Sequence, residues 1–164
     1  MYRTILPLWS RIALALVAAL WVAAVPASAP AGAQVEGMVV KPSPHSVKET
    51  LDRLEAALKE KGIQVALRWD HAARAKAVGI ELRPTELLVF GNPRLGSHLF
   101  TAGQTAGIDL PMKALAWEDA RGQVWLGYND PDYIASRHHV TGRDAVLARM
   151  KAALDRLSDR AVAP

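Results

Sequence analysis

The chain contains no cysteine, so disulfide stapling, thiol catalysis, thiolate metal sites and covalent haem attachment through C-x-x-C-H are all excluded. Other signatures are missing too. The five histidines, at 45, 71, 98, 138 and 139, form no H-x-x-x-H or H-E-x-x-H pair, which rules out the local zinc chelates those spacings build on a helix. There is no G-x-S-x-G nucleophile elbow and no phosphate-loop glycine pattern. Internal repeats and low-complexity tracts are also absent.

Acid is missing from the first 33 residues, although the chain holds 16 Asp and Glu. There, Arg3 and Arg11 precede an apolar run from Ile12 to Val25, followed by small residues and prolines. That order of regions is a secretory signal, and the run is short against the roughly 20 residues of a membrane span. Cleavage after Ala31-Gly32-Ala33 would make Gln34 the first mature residue, because Pro30 disfavours the earlier Ala27-Ser28-Ala29 site. The expectation is a signal peptide over 1–33, a periplasmic or secreted location and no membrane contact after its removal. Without Arg3 and Arg11 the formal charge falls from +4 to +2, so the basic balance is a weak pointer to nucleic acid. Lys and Arg are also dispersed, and no nucleic-acid partner is expected.

Residues 34–164 then read as a single α+β domain, long enough to bury its own core. Val35–Lys41 predicts a strand. Ser43-Pro44 opens a helical stretch in which Ser46 and Glu49 have capping-box spacing and Val47, Leu51, Leu54 and Leu58 share a face up to Gly62. Ile63–Trp69 alternates as a half-buried strand, and Asp70 caps a short helix over His71–Val78. Glu86–Gly91 predicts a strand running into Asn92-Pro93, a cap followed by proline at the first helical position, and Arg94–Gly107 a short helix and loop. Met112–Asp119 and Gln123–Tyr128 predict a hairpin around Ala120-Arg121-Gly122. Asn129-Asp130-Pro131 starts another helix, and Arg143–Leu157 closes the chain with Leu147, Met150, Leu154 and Leu157 on one face. The expected architecture is a two-layer sandwich, a largely antiparallel sheet with helices packed on it.

Several peptides in this order resemble one family, domain of unknown function 302. They are Asp70-His71, Arg83 to Pro93, Asp109 to Lys113 with Trp117-Glu118-Asp119, and Tyr128 to Pro131 with Arg137-His138. The resemblance, over about Val39 to Val140, implies a compact bacterial α+β domain, a possible homodimer and no agreed chemistry. Where the family pattern has glycine after Arg137-His138, this chain has His139.

Four groups of residues could carry chemistry. Asp70, His71, Lys113, Asp130 and His138 would serve general acid–base catalysis if they converged; as single residues they read as caps, first-turn positions and a strand start. Asn92 with Arg94 could bind an anion at a helix start, against a plain turn and cap. A metal or non-covalent haem would need ligands from distant positions, such as His71, His98, His138 and Met112. The aromatics Trp69, Trp117, Trp125, Tyr128 and Phe90 predict core packing, or the wall of a small-ligand site. The leading expectation is an exported binding or accessory module of the cell envelope, with a small enzyme and a haem or metal carrier as alternatives.

Overall fold

The computed structural model describes residues 35–164; the expected signal segment over 1–33 and its expected cleavage site lie outside the described residues. The elements run β1 (Met38–Ser43), α1 (Val47–Glu60), β2 (Gln64–Asp70), α2 (His71–Ala77), β3 (Thr85–Gly91), α3 (Pro93–Phe100), a 3-10 turn (Gln104–Ile108), β4 (Met112–Glu118), β5 (Val124–Asn129), α4 (Pro131–Arg137) and α5 (Asp144–Val162). The five strands form one sheet, ordered β1-β5-β4-β3-β2, and every neighbouring pair is antiparallel. Helices α1 and α5 pack on it. This is the expected α+β sandwich, with the sheet wholly antiparallel.

Local chemistry explains the elements. Ser46 caps α1 by accepting from the Glu49 N–H at 3.2 Å, while Asp119 and Gly122 shape the β4–β5 turn, Gly122 lying at φ +79° where a side chain would be strained. Leu51 and Leu58 of α1 are fully buried, opposite Leu88 of β3 and Leu126 of β5, each such side chain contributing about 1.5–3 kcal/mol. Lys41 on the edge strand β1 pins α5 through Asp155 at 2.6 Å and Asp159 at 2.5 Å. Burial opposes its charge, but these two partners outweigh burial and raise its pKa.

Two expectations about the strands need correction. The first strand starts at Met38 rather than Val35, because Gly37 turns through φ +74° under the ring of Tyr133 before pairing begins. The alternation over Ile63–Trp69 is also broken. A bulge between Val65 and Leu67 leaves Ile63 and Val65 against the core and carries Leu67 and Trp69 to the other face, opposite Val89 and Leu87. An extra residue in one strand reverses the facing of all that follows it.

The aromatics divide accordingly. Phe90 and Tyr128 join the helix-covered core, whereas Trp117 pairs with Trp125 on the opposite face together with Trp69, where the Arg74 guanidinium of α2 stacks at 3.4 Å from the Trp69 ring centre. Trp125 is buried as expected, at 6% exposure, whereas Trp69 and Trp117 are only half-buried on the face away from α1 and α5, since strand parity alone does not say which face a helix will cover.

Candidate functional site

The strand ends define two poles of the sheet. At one lie Asp70 and His71, beside Glu86 and across from Ala116. At the other lie Gly91, Met112 and Asn129, separated from the first by the four steps along β4 from Ala116 to Met112, about 13 Å at roughly 3.3 Å per residue.

That distance corrects the expectation of a converging acid–base group. Asp70 caps α2, accepting from the Ala73 N–H at 2.8 Å, and His71 opens the same helix at the first pole. Asp130 caps α4, accepting from the Asp132 N–H at 2.8 Å, with the Lys151 ammonium 3.8 Å away. Lys113 and His138 do come together, around a residue that sequence reasoning passed over. Asp109 accepts at Oδ2 from His138 Nε2 at 2.7 Å, and its carboxylate also takes Arg137 at 3.3 Å. Lys113 Nζ donates to the Asp109 backbone oxygen at 3.0 Å and to that of Pro111 at 3.3 Å. With Nε2–H committed to Asp109, His138 Nδ1 accepts from the Thr105 hydroxyl at 3.0 Å. The imidazole side chain is 7% exposed, and both its nitrogens are in use. The cluster is a clasp that holds the loop from Thr105 to Lys113 onto the end of α4.

His139, directly after it, lies at φ +53°, the left-handed region that favours glycine. The departure from the family's glycine thus falls on the residue that ends α4.

The distant-ligand metal reading is corrected as well. His71 sits at the opposite pole from His98 and His138, Met112 is buried in the core, and among the described residues no three His, Cys, Asp or Glu side chains stand close enough to hold a metal ion. At Asn92 the helix start is already satisfied: Asn92 Oδ1 accepts from the Arg94 N–H at 3.0 Å, and the Leu95 and Gly96 N–H groups go to the Asn92 carbonyl. No N–H of that first turn is left for an anion, which corrects the Asn92 and Arg94 expectation.

The second pole has a different feature beside the clasp. A cleft of about 250 Å³ opens between the ends of β2, β3 and β4, helix α3 and helix α5. Phe90, Leu110, Met112, Met150, Leu154 and Leu157 form its floor, each no more than 6% exposed. Gln64, Asn92 and Ser97 are the polar side chains at its rim, and none of the 18 lining residues carries a charge, in a chain that is 22% charged. The bulge in β2 helps to make this wall, since it leaves Ile63 and Ala66 lining the cleft. Of the residues singled out from sequence, Phe90, Asn92 and Met112 lie here, Phe90 at the junction of core and cleft wall and the other two in roles other than those expected. The remaining lining residues are apolar side chains at helical and strand spacing, a pattern that core and cleft share.

The segment Asp109–Lys113 borders both regions. Its Leu110, Pro111 and Met112 line the cleft, while Asp109 and Lys113 belong to the clasp.

With this geometry in place, comparison with known proteins fixes the lineage: residues 39–157 match the family model "Domain of unknown function DUF302", and the chain belongs to that family. A crystal structure of an uncharacterized conserved DUF302 protein from Bacillus stearothermophilus superposes with a TM-score of 0.69 at 20% identity, covering 77% of this chain and 99% of that one, which shows a common fold. In sequence, the chain is 51% identical over 102 residues to a Brucella suis protein named fluoride-specific ion channel FluC 1, covering 62% of this chain and 40% of the relative. A Brucella melitensis protein named fluoride-specific ion channel FluC 2 matches equally, over 38% of its length. The chain therefore spans about two fifths of the length of these curated relatives.

Proposed function

We propose that the protein is an exported binding or accessory module of the cell envelope, acting on a small ligand taken into the uncharged cleft. The cleft carries this reading: it is concave, apolar at its floor and polar at a few rim positions, the composition of small-molecule sites. The titratable side chains nearby are absorbed into caps and the Asp109 clasp, which favours binding over acid–base chemistry. Export to the periplasm or beyond rests on the signal pattern of residues 1–33. An accessory role beside a membrane system draws support from the Brucella relatives, in which a stretch like this one is part of a longer protein named as an ion channel. Channel activity itself is not carried over, because the matched stretch covers only about two fifths of those relatives' length.

A second copy of the chain is the partner that fits the other face of the sheet. By register this face presents Val40, Leu87, Val89, Leu115, Trp117 and Trp69, and Lys113 is its charged strand residue. The sheet edges are poor alternatives: Pro42 interrupts β1 and the bulge interrupts β2.

Native mass spectrometry of protein recovered from its host's periplasm or medium tests the reading. The expected species begins at Gln34 and carries a small-molecule adduct that gentle activation removes. Recovery in the cytoplasm with residue 1 intact would contradict export, and a species without adduct that binds nothing from a host lipid and metabolite extract would contradict the binding role.

A further inference from the structure

Resting on the binding reading above, we infer that the cleft takes an uncharged ligand with a hydrocarbon body and one neutral hydrogen-bonding end group, such as an alcohol or amide. Three observations carry the class. First, the floor offers only aliphatic, thioether and phenyl surface, and an ion placed there would lose its hydration with no counter-charge among the lining residues. Second, the polar groups stand at the rim, so the ligand's own polar end lies there and its body beneath. Asn92 has committed its amide oxygen to capping α3, which leaves its NH₂ to donate to a ligand oxygen, and Gln64 and Ser97 can donate or accept. Third, the size is restrictive. The volume of about 250 Å³ falls just under the ~300–1,000 Å³ of sites for drug-sized ligands.

Size also decides against a peptide occupant. At about 250 Å³ the cleft lies below the range of drug-sized sites, and a peptide helix, about 10–12 Å across with its side chains, is too bulky for it. Met112 and Met150, one on each side, suit a flexible chain better than a rigid ring, because unbranched thioether side chains repack around variable shapes.

The test uses N-phenyl-1-naphthylamine, a neutral dye that fluoresces in apolar sites, with the full chain as it accumulates on expression. The dye should bind, and 1-decanol should displace it at a concentration at least tenfold lower than decanoate or decyltrimethylammonium of the same chain length. Gly96 supplies a control that separates binding from folding. It lies in the middle of α3 on the cleft wall, where an added Cβ would meet nothing closer than Phe100 at 4.0 Å, so Gly96→Leu starts without a clash and extends into the cleft while improving helix propensity. Its melting temperature should equal or exceed the parent's while dye affinity falls at least tenfold; Ala153→Phe, on the facing helix, should give the same loss of binding. If the charged amphiphiles displace the dye as well as decanol does, the uncharged class is wrong and the binding role survives. If the dye does not bind, or binds both variants as it binds the parent, the cleft is not a site and both readings fall.

Discussion

On either side of the five residues Asp109–Lys113 the protein builds opposite environments from neighbouring side chains. Towards α3 and α5 it forms a cleft with no charge in its lining; towards α4 it gathers Asp109, Arg137, His138 and Lys113 into paired contacts. The difference teaches where to look for function in this chain. Asp109, Arg137 and His138 pair with one another while Lys113 is taken up by backbone oxygens, and so held they fix a loop and have little capacity left for a substrate. The apolar surface beside them lacks a partner, and the loop fixed by the clasp supplies part of its wall. The charged side is thus the support and the uncharged side the site.

The largest effect should come from the cleft floor. Phe90→Ala removes a buried ring at the junction of core and cleft, and urea unfolding should show a loss of about 3–5 kcal/mol, together with loss of dye binding.

The clasp should be weaker in stability and indirect in binding. Asp109→Ala strands His138 and Arg137, with an expected cost of about 1–3 kcal/mol. A double-mutant cycle with His138→Ala should show the two losses to be non-additive, and dye affinity should drop only a few-fold, because the wall shifts while the floor remains. Equal, abolishing effects of Asp109→Ala and Gly96→Leu on binding would erase the distinction between support and site.

Next to the clasp, His139→Gly relieves a left-handed residue at φ +53°. A gain in thermal unfolding free energy of up to about 1 kcal/mol is expected, with binding unchanged.

At the other pole a carboxylate works as a strut. The hydrogen bond from the Trp125 indole, joined by the Arg121 and Gln123 N–H groups, holds the Asp119 pKa down to about 2. A folded-state pKa below the unfolded value of about 3.9 means that this stabilisation is present above pH 4 and is lost as pH falls from about 4 towards 2. Asp119→Asn should flatten the acid limb of the stability–pH curve in that window. The smallest effect is expected of His71→Ala, within about 0.5 kcal/mol and without consequence for binding, since His71 only opens α2.

Local signals made much of the fold readable from residues alone. Ser46, Asp70, Asn92 and Asp130 all cap the helices their spacing predicts, and the hairpin around Arg121-Gly122 is where turn chemistry puts it. The bulge after Val65 was not readable, because an apolar residue on every second position looks the same whether the pairing is regular or slipped. Asp109 escaped notice for a related reason: its partner His138 lies 29 positions away, and an Asp before Leu-Pro carries no local mark of an ion pair. The cleft was the least readable feature. Phe90, Met150 and Leu154 obey core periodicity, and only the arrival of α3 beside α5 determines that they border a space instead of closing it.

Titrating 1-decanol into ¹⁵N-labelled protein and following the amide resonances tests the central claim most directly. Saturable shifts confined to Ile63–Ala66, Phe90–Phe100, Leu110, Met112 and Met150–Leu157, with His71 and Ala73 unmoved, are the predicted result. Shifts centred on Asp70–Ala77 or on Thr105, Asp109 and His138, or none at all, would contradict it.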